Sequence, residues 1–382
     1  MSALSKFSGL VLTALLVSCV PINQTKITAG SGVQVPWSWS ATSSVGAPTG
    51  RFYHTSIWTG DRMIIWGGGN SVNTGGIYNP ISDTWTPTST SVNAPEGRRL
   101  HTAIWTGSKM LIWGGVSSSN SALDSGAIYD PETDSWTPIT TTNAPQARYQ
   151  HTAIWTGNKM IVWGGFDWSS SFFNSGGQYD PDTDTWTPTS VGTNVPSARG
   201  YHTAAWTGSK MIVWGGGQQL TYLNGGGIYD PDSDTWISTS TGENLPTGRH
   251  YPNSIWTGSN FIIWGGNNSD GPLNSGAQLD PLGNSWASIS SVNAPSARYL
   301  GSAIWTGEEM IVWGGGINAN ATLGTNTGGR YNPATDTWTA TGSGGNVPAS
   351  RVLHKAIWTG STMIIWGGAN TTSPNSGGVY GP

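Results

Sequence analysis

Residues 148–165 read Arg-Tyr-Gln-His-Thr-Ala-Ile-Trp-Thr-Gly-Asn-Lys-Met-Ile-Val-Trp-Gly-Gly, and the same phrase returns along the whole chain. Trp-Thr-Gly begins at Trp58, Trp105, Trp155, Trp206, Trp256, Trp305 and Trp358, and seven positions before each stands an Arg. Eight positions after each comes a second Trp followed by Gly-Gly, at Trp66, Trp113, Trp163, Trp214, Trp264, Trp313 and Trp366. The successive spacings are 47, 50, 51, 50, 49 and 53 residues. A period near fifty is the mark of a repeat architecture of the propeller kind.

Each unit reads as four short strands, as the third shows. His151–Thr156 is the first strand, and Gly157-Asn158 supplies a tight turn. Lys159–Gly164 is the second, apolar on both faces, as suits a sheet covered on both sides by its neighbours. Gly177–Asp180 is the third, and a Pro-Asp-Thr-Asp turn leads into the fourth, Thr185–Thr189. The seventh unit stops at Tyr380-Gly381-Pro382, one strand short, whereas Trp37-Ser38-Trp39 precedes the first full unit. Trp39 stands twelve positions before Arg51, as Trp136 does before Arg148. The expectation is an all-β propeller of seven blades over residues 37–382. The N-terminal strand completes the last blade, removing the open sheet edge of an unclosed array.

The motif resembles that of the kelch-repeat family: Gly-Gly after an apolar strand, then Tyr, then Trp. Gly114-Gly115, Tyr129 and Trp136 carry it, followed by Gly164-Gly165, Tyr179 and Trp186. Tyr229 and Trp236, Tyr331 and Trp338, and Tyr78 and Trp85 continue it, while Leu279 replaces the Tyr in unit five. The resemblance covers about Trp37 to Pro382 and implies a fold more than an activity. Copper oxidases of this kind need a Tyr–Cys crosslink, whereas Cys19 is the single cysteine of the 382 residues. Periplasmic sialic-acid mutarotase-like relatives supply the enzymatic alternative, with Glu96 or Glu243 beside an Arg as acid/base candidates.

A lone cysteine excludes internal disulfides and Cys-based zinc sites. Lys6 and the apolar run Leu10–Val17, too short to span a bilayer, end in Leu-Val-Ser-Cys19. This resembles the lipobox of bacterial lipoproteins. It implies a signal peptide at 1–18, lipidation of Cys19, and a polar tether at 19–36. Val20 after the cysteine points to the outer membrane rather than the inner. A net charge of −4 gives no electrostatic case for nucleic-acid binding. Sorted by blade face, the charges leave about −11 on the side of the third-to-fourth turns and about +5 on the side of the repeated Args.

Arg51, Arg98, Arg148, Arg199, Arg249, Arg298 and Arg351 are either ligand clamps or parts of the architecture. Occurrence in every unit favours architecture, because a binding site breaks symmetry; buried polar groups are normally satisfied locally. His54, His101, His151, His202 and His354 form a second ring, with Pro252 and Gly301 in the remaining places. No metal-ligand spacing accompanies them, so neither a metal nor another cofactor is expected. The Asp turns at Asp180 and Asp230 lack the Gly and distal Glu of a calcium loop.

Departures from the repeat make better candidates: Trp168, Phe172 and Phe173 after one Gly-Gly, and Gln218, Gln219 and Tyr222 after the next. Arg148 and Arg199 lead into those two blades and are the clamps to test. Aromatic platforms beside amides suit sugar rings or peptide side chains. The expectation is a monomeric, lipid-anchored envelope propeller that binds a glycan or protein ligand, anionic by the charge of that face. A passive envelope scaffold is the remaining alternative.

Overall fold

The computed structural model describes residues 36–382; Cys19, the apolar run and most of the tether lie outside them. Seven four-stranded antiparallel sheets make up the described chain, with two short ladders besides. In blade three the strands are Thr152–Trp155, Met160–Trp163, Gly176–Asp180 and Thr185–Pro188, within a residue or so of the sequence expectation.

The turns explain the repeated words. The Thr156 hydroxyl accepts the Lys159 N–H at 2.9 Å, and Lys159 O accepts from Thr156 N, closing the first turn. Arg62, Lys109, Lys210, Asn260, Glu309 and Thr362 donate in the same way to their own Thr. In the second turn Asp180 Oδ1 accepts from Asp182 N, and Asp184 takes the left-handed conformation that Asp tolerates (φ 50°). The Gly-Gly doublet has a steric cause. A Cβ on Gly114 would lie 2.5 Å from His151 Cε1 in the next blade, and one on Gly115 would lie 2.7 Å from Arg99 O; both residues have positive φ.

Blades cohere through tryptophan. The second-strand Trp of each unit is fully buried and meets the fourth-strand Trp of the next blade. Centroids are 5.3 Å apart for Trp66–Trp136 and 5.5 Å for Trp113–Trp186. Such pairs add to the large area each indole buries. The ring closes as expected: Ser38–Ala41 pairs with Gly377–Gly381, placing Trp39 against Tyr380. Trp39 also contacts Trp313 at 5.1 Å, so the N-terminal strand enters the inter-blade Trp series like any other fourth strand.

The acidic turns have a structural task too. Asp134 Oδ1 accepts the Tyr129 hydroxyl at 2.5 Å and, from the previous blade, Ser89 N at 2.7 Å. Asp83, Asp184, Asp234 and Asp336 repeat this staple. In blade five Leu279 has no hydroxyl to give, and Asn284 replaces the Asp, accepting only from Ser240 N.

Candidate functional site

The seven repeated Args are 0–3% exposed. Arg148 Nε donates to Gln146 O, Nη1 to Gly164 O and Ser175 O, and Nη2 to the Ser175 hydroxyl. Arg199 makes the equivalent bonds to Ser197, Gly215 and Gly225. Each guanidinium thus ties the start of the innermost strand to both ends of its own second-to-third loop. Arg51, Arg98, Arg249, Arg298 and Arg351 do the same. Phe173 lies under the Arg148 guanidinium, 4.3 Å from ring centroid to Cζ, and reinforces the clamp. Burial lowers the Arg148 pKa to about 10, which leaves it charged at neutral pH. A ligand reaching Arg148 or Arg199 would have to displace bonds to buried carbonyls.

The basic face is correspondingly weaker than the charge count implies. Those seven charges are enclosed by carbonyls. Arg330 belongs elsewhere, pairing with Glu309 and stacking on Trp37 at 4.6 Å. Arg99 is held by Ser71 and Asn120. Lys355 points into the central channel.

The histidines link blades. His101, His151, His202 and His354 pair their Nε2 atoms with the hydroxyls of Thr55, Thr102, Thr152 and Ser302 in the preceding blade, at 2.8–2.9 Å. Burial holds the His202 and His354 pKa values down to about 3, so both rings stay neutral.

Above these links the Gly-Gly doublet lets each innermost strand continue for one more contact. The residue after the Arg bridges to the residue after the doublet, as in Tyr149 with Phe166, His250 with Asn267 and Tyr299 with Gly316. The next residue turns inward with positive φ in all seven blades: Tyr53, Leu100, Gln150, Tyr201, Tyr251, Leu300 and Leu353. Those two positions, the variable letters of an otherwise constant phrase, form a collar around the channel mouth.

Over blades three to six the collar is aromatic. Trp168 neighbours Tyr149 at 6.1 Å, Tyr149 packs on Phe166 at 4.4 Å, and Phe166 on Phe172 at 4.6 Å. Tyr201 joins Phe166 to His250, and His250 packs on Tyr222 at 4.4 Å. Tyr251 then leads to Tyr299. Gly200 makes room for this belt, since a Cβ there would lie 2.5 Å from Phe166.

Trp168 is 56% exposed at one end of the belt, and Tyr222 is half-buried at the other. Gln218 and Gln219 are exposed at the adjoining loop tip, Gln218 donating to Ala198 O. The sequence candidates Trp168, Phe172 and Tyr222 are therefore brought into one surface. Tyr149, Tyr201, His250, Tyr251 and Tyr299 complete it and went unnoticed in the sequence. Their signal was variability inside the repeated Arg-x-x-His phrase. Glu96 and Glu243 are exposed and do not border the cavity of about 270 Å³ in the channel.

The family profile described as the KLHDC2/KLHL20/DRC7 Kelch-repeats domain matches residues 33–144 and 100–315. No curated protein matches the chain.

Proposed function

Taking as premise that the chain belongs to the kelch-repeat family, whose propellers are binding and interaction modules, we propose that its ligand is a glycan held on the aromatic collar. The carrying observation is the continuous belt from Trp168 through Tyr149, Phe166, Tyr201 and His250 to Tyr222. An exposed indole offers a flat apolar face to the C–H side of a pyranose, while Asp167 beside it and Gln218 and Gln219 at the Tyr222 end of the belt offer groups that bond hydroxyls. A glycan array probed with the whole chain should return a defined set of sugars, and Trp168→Ala should reduce that signal at least tenfold without lowering the melting temperature. A full signal from the Trp168→Ala chain would sink the reading.

One observation favours a protein ligand instead. Leu220 and Leu323, on loop tips of blades four and six, are 86% and 58% exposed. If the ligand is a protein, Leu220→Asp should abolish capture of one envelope protein while the array stays blank.

The Leu-Val-Ser-Cys19 sequence supports a lipid anchor on the bacterial envelope, with the outer membrane as its destination. A lipid chain is then the attachment, so Cys19→Ala should release the protein from membranes or leave it uncleaved. Fractionation with and without the substitution decides this separately from ligand choice.

A further inference from the structure

Where blade seven meets blade one, the His–hydroxyl link is broken. Lys355 occupies the place held by Thr55, Thr102, Thr152 and Ser302 at the linked interfaces. His54, which would be the partner, is 1% exposed and its ring nitrogens meet no side-chain hydroxyl. Lys355 forms no hydrogen bond or ion pair among the described residues. It is an exposed residue, and it borders the central channel. The cavity it borders, about 270 Å³, has no carboxylate in its lining. Asn253 also borders this cavity, and its Nδ2 is buried and unpaired. A cation without a partner, on a cavity wall that carries no carboxylate, leaves a deficit of acceptors that an anion would fill.

We propose that the central channel binds a small monovalent carboxylate, held by the Lys355 ammonium. Charge sets the valence. Lys355 is the one Lys or Arg in the lining, and the histidines there are kept neutral by burial, so the lining matches one negative charge and leaves a second unmatched. The site does not rest on the collar reading: it lies in the channel and needs none of the Trp168 belt.

The full chain is melted in sodium acetate, sodium glucuronate, sodium phosphate and sodium chloride at equal ionic strength. At least one carboxylate should raise the melting temperature with a saturable dependence that chloride does not reproduce, and phosphate should act more weakly. Acetate alone acting assigns a free small carboxylate; glucuronate acting more strongly assigns the acid group of a sugar. Lys355→Thr supplies the hydroxyl that the linked interfaces have, so this variant should fold with unimpaired stability yet lose at least tenfold in carboxylate affinity. Lys355→Arg should keep the response, and Trp168→Ala should leave it untouched. Identical melting in chloride and both carboxylates, or an undiminished response in Lys355→Thr, overturns the proposal.

Discussion

Arg298 shows why a charged side chain recurs unaltered in every blade. It is fully buried, and its planar fork reaches Ser296 O, Gly314 O and Thr327 O at once. Three carbonyls in a fixed arrangement suit a guanidinium; an ammonium is a point charge on a flexible stem and cannot meet all of them. Arg298→Lys should therefore leave a buried carbonyl unsatisfied and cost about 1–3 kcal/mol. The same loss is expected for Arg148→Lys, because its bonds match. Denaturant unfolding of both variants checks this, and a stability near wild type for either would show that the clamp is dispensable. The architectural reading of these Args was accessible from their sevenfold recurrence. Their bond partners were not, because Gly314 and Thr327 lie 16 and 29 positions away and meet only once the second-to-third loop has folded back.

The blade is the element at which local exceptions become informative. In five blades a Tyr hydroxyl and the N–H of the preceding blade share one Asp carboxylate, so a hairpin turn is fastened to its own sheet and to its neighbour together. Leu279 and Asn284 change as a pair in blade five, which fits a shared carboxylate having lost one donor. Restoring both in Leu279→Tyr with Asn284→Asp should produce a favourable coupling of about 1 kcal/mol beyond the sum of the single changes. A double-mutant cycle measures it, and additive effects would mean that the pair is unconnected. The sequence displayed the departure at Leu279 plainly. It could not display the collar, because Tyr149 and Phe166 become neighbours only through the extra bridge that the Gly-Gly doublet permits.

For the molecule as a whole, the ring makes residues at opposite ends of the chain into neighbours. Lys355 and His54 stand about three hundred positions apart, and their mismatch is visible only after Ser38–Ala41 has closed blade seven beside blade one. The same circular geometry places neutral histidines at five inter-blade positions around the channel, all of them buried. Burial is the first cause of their lowered pKa values, and the positive charges of Arg51, Arg98, Arg148, Arg199, Arg351 and Lys355 lower them further. Above pH 6.5 folded and unfolded chains both carry neutral histidines, so protonation takes nothing from stability. Between 6.5 and about 3, the value for His202 and His354, the unfolded chain takes up protons that the fold refuses. Each such group can then remove up to about 1.4 kcal/mol per pH unit. Several acting together over one or two units rival the total stability of a typical domain, about 5–15 kcal/mol. The propeller should therefore weaken steeply as pH falls below 6 and unfold well above the pH at which most carboxylates titrate. Denaturant midpoints at pH 7.5, 6.5, 5.5 and 4.5 would trace the decline. His202→Gln, which can still bond the Thr152 hydroxyl but cannot titrate, should be less stable at pH 7.5 and flatter in its pH dependence. Equal midpoints for the wild-type chain from 7.5 to 4.5 would show that the ring takes up protons without strain, and that water or rearrangement reaches the histidines.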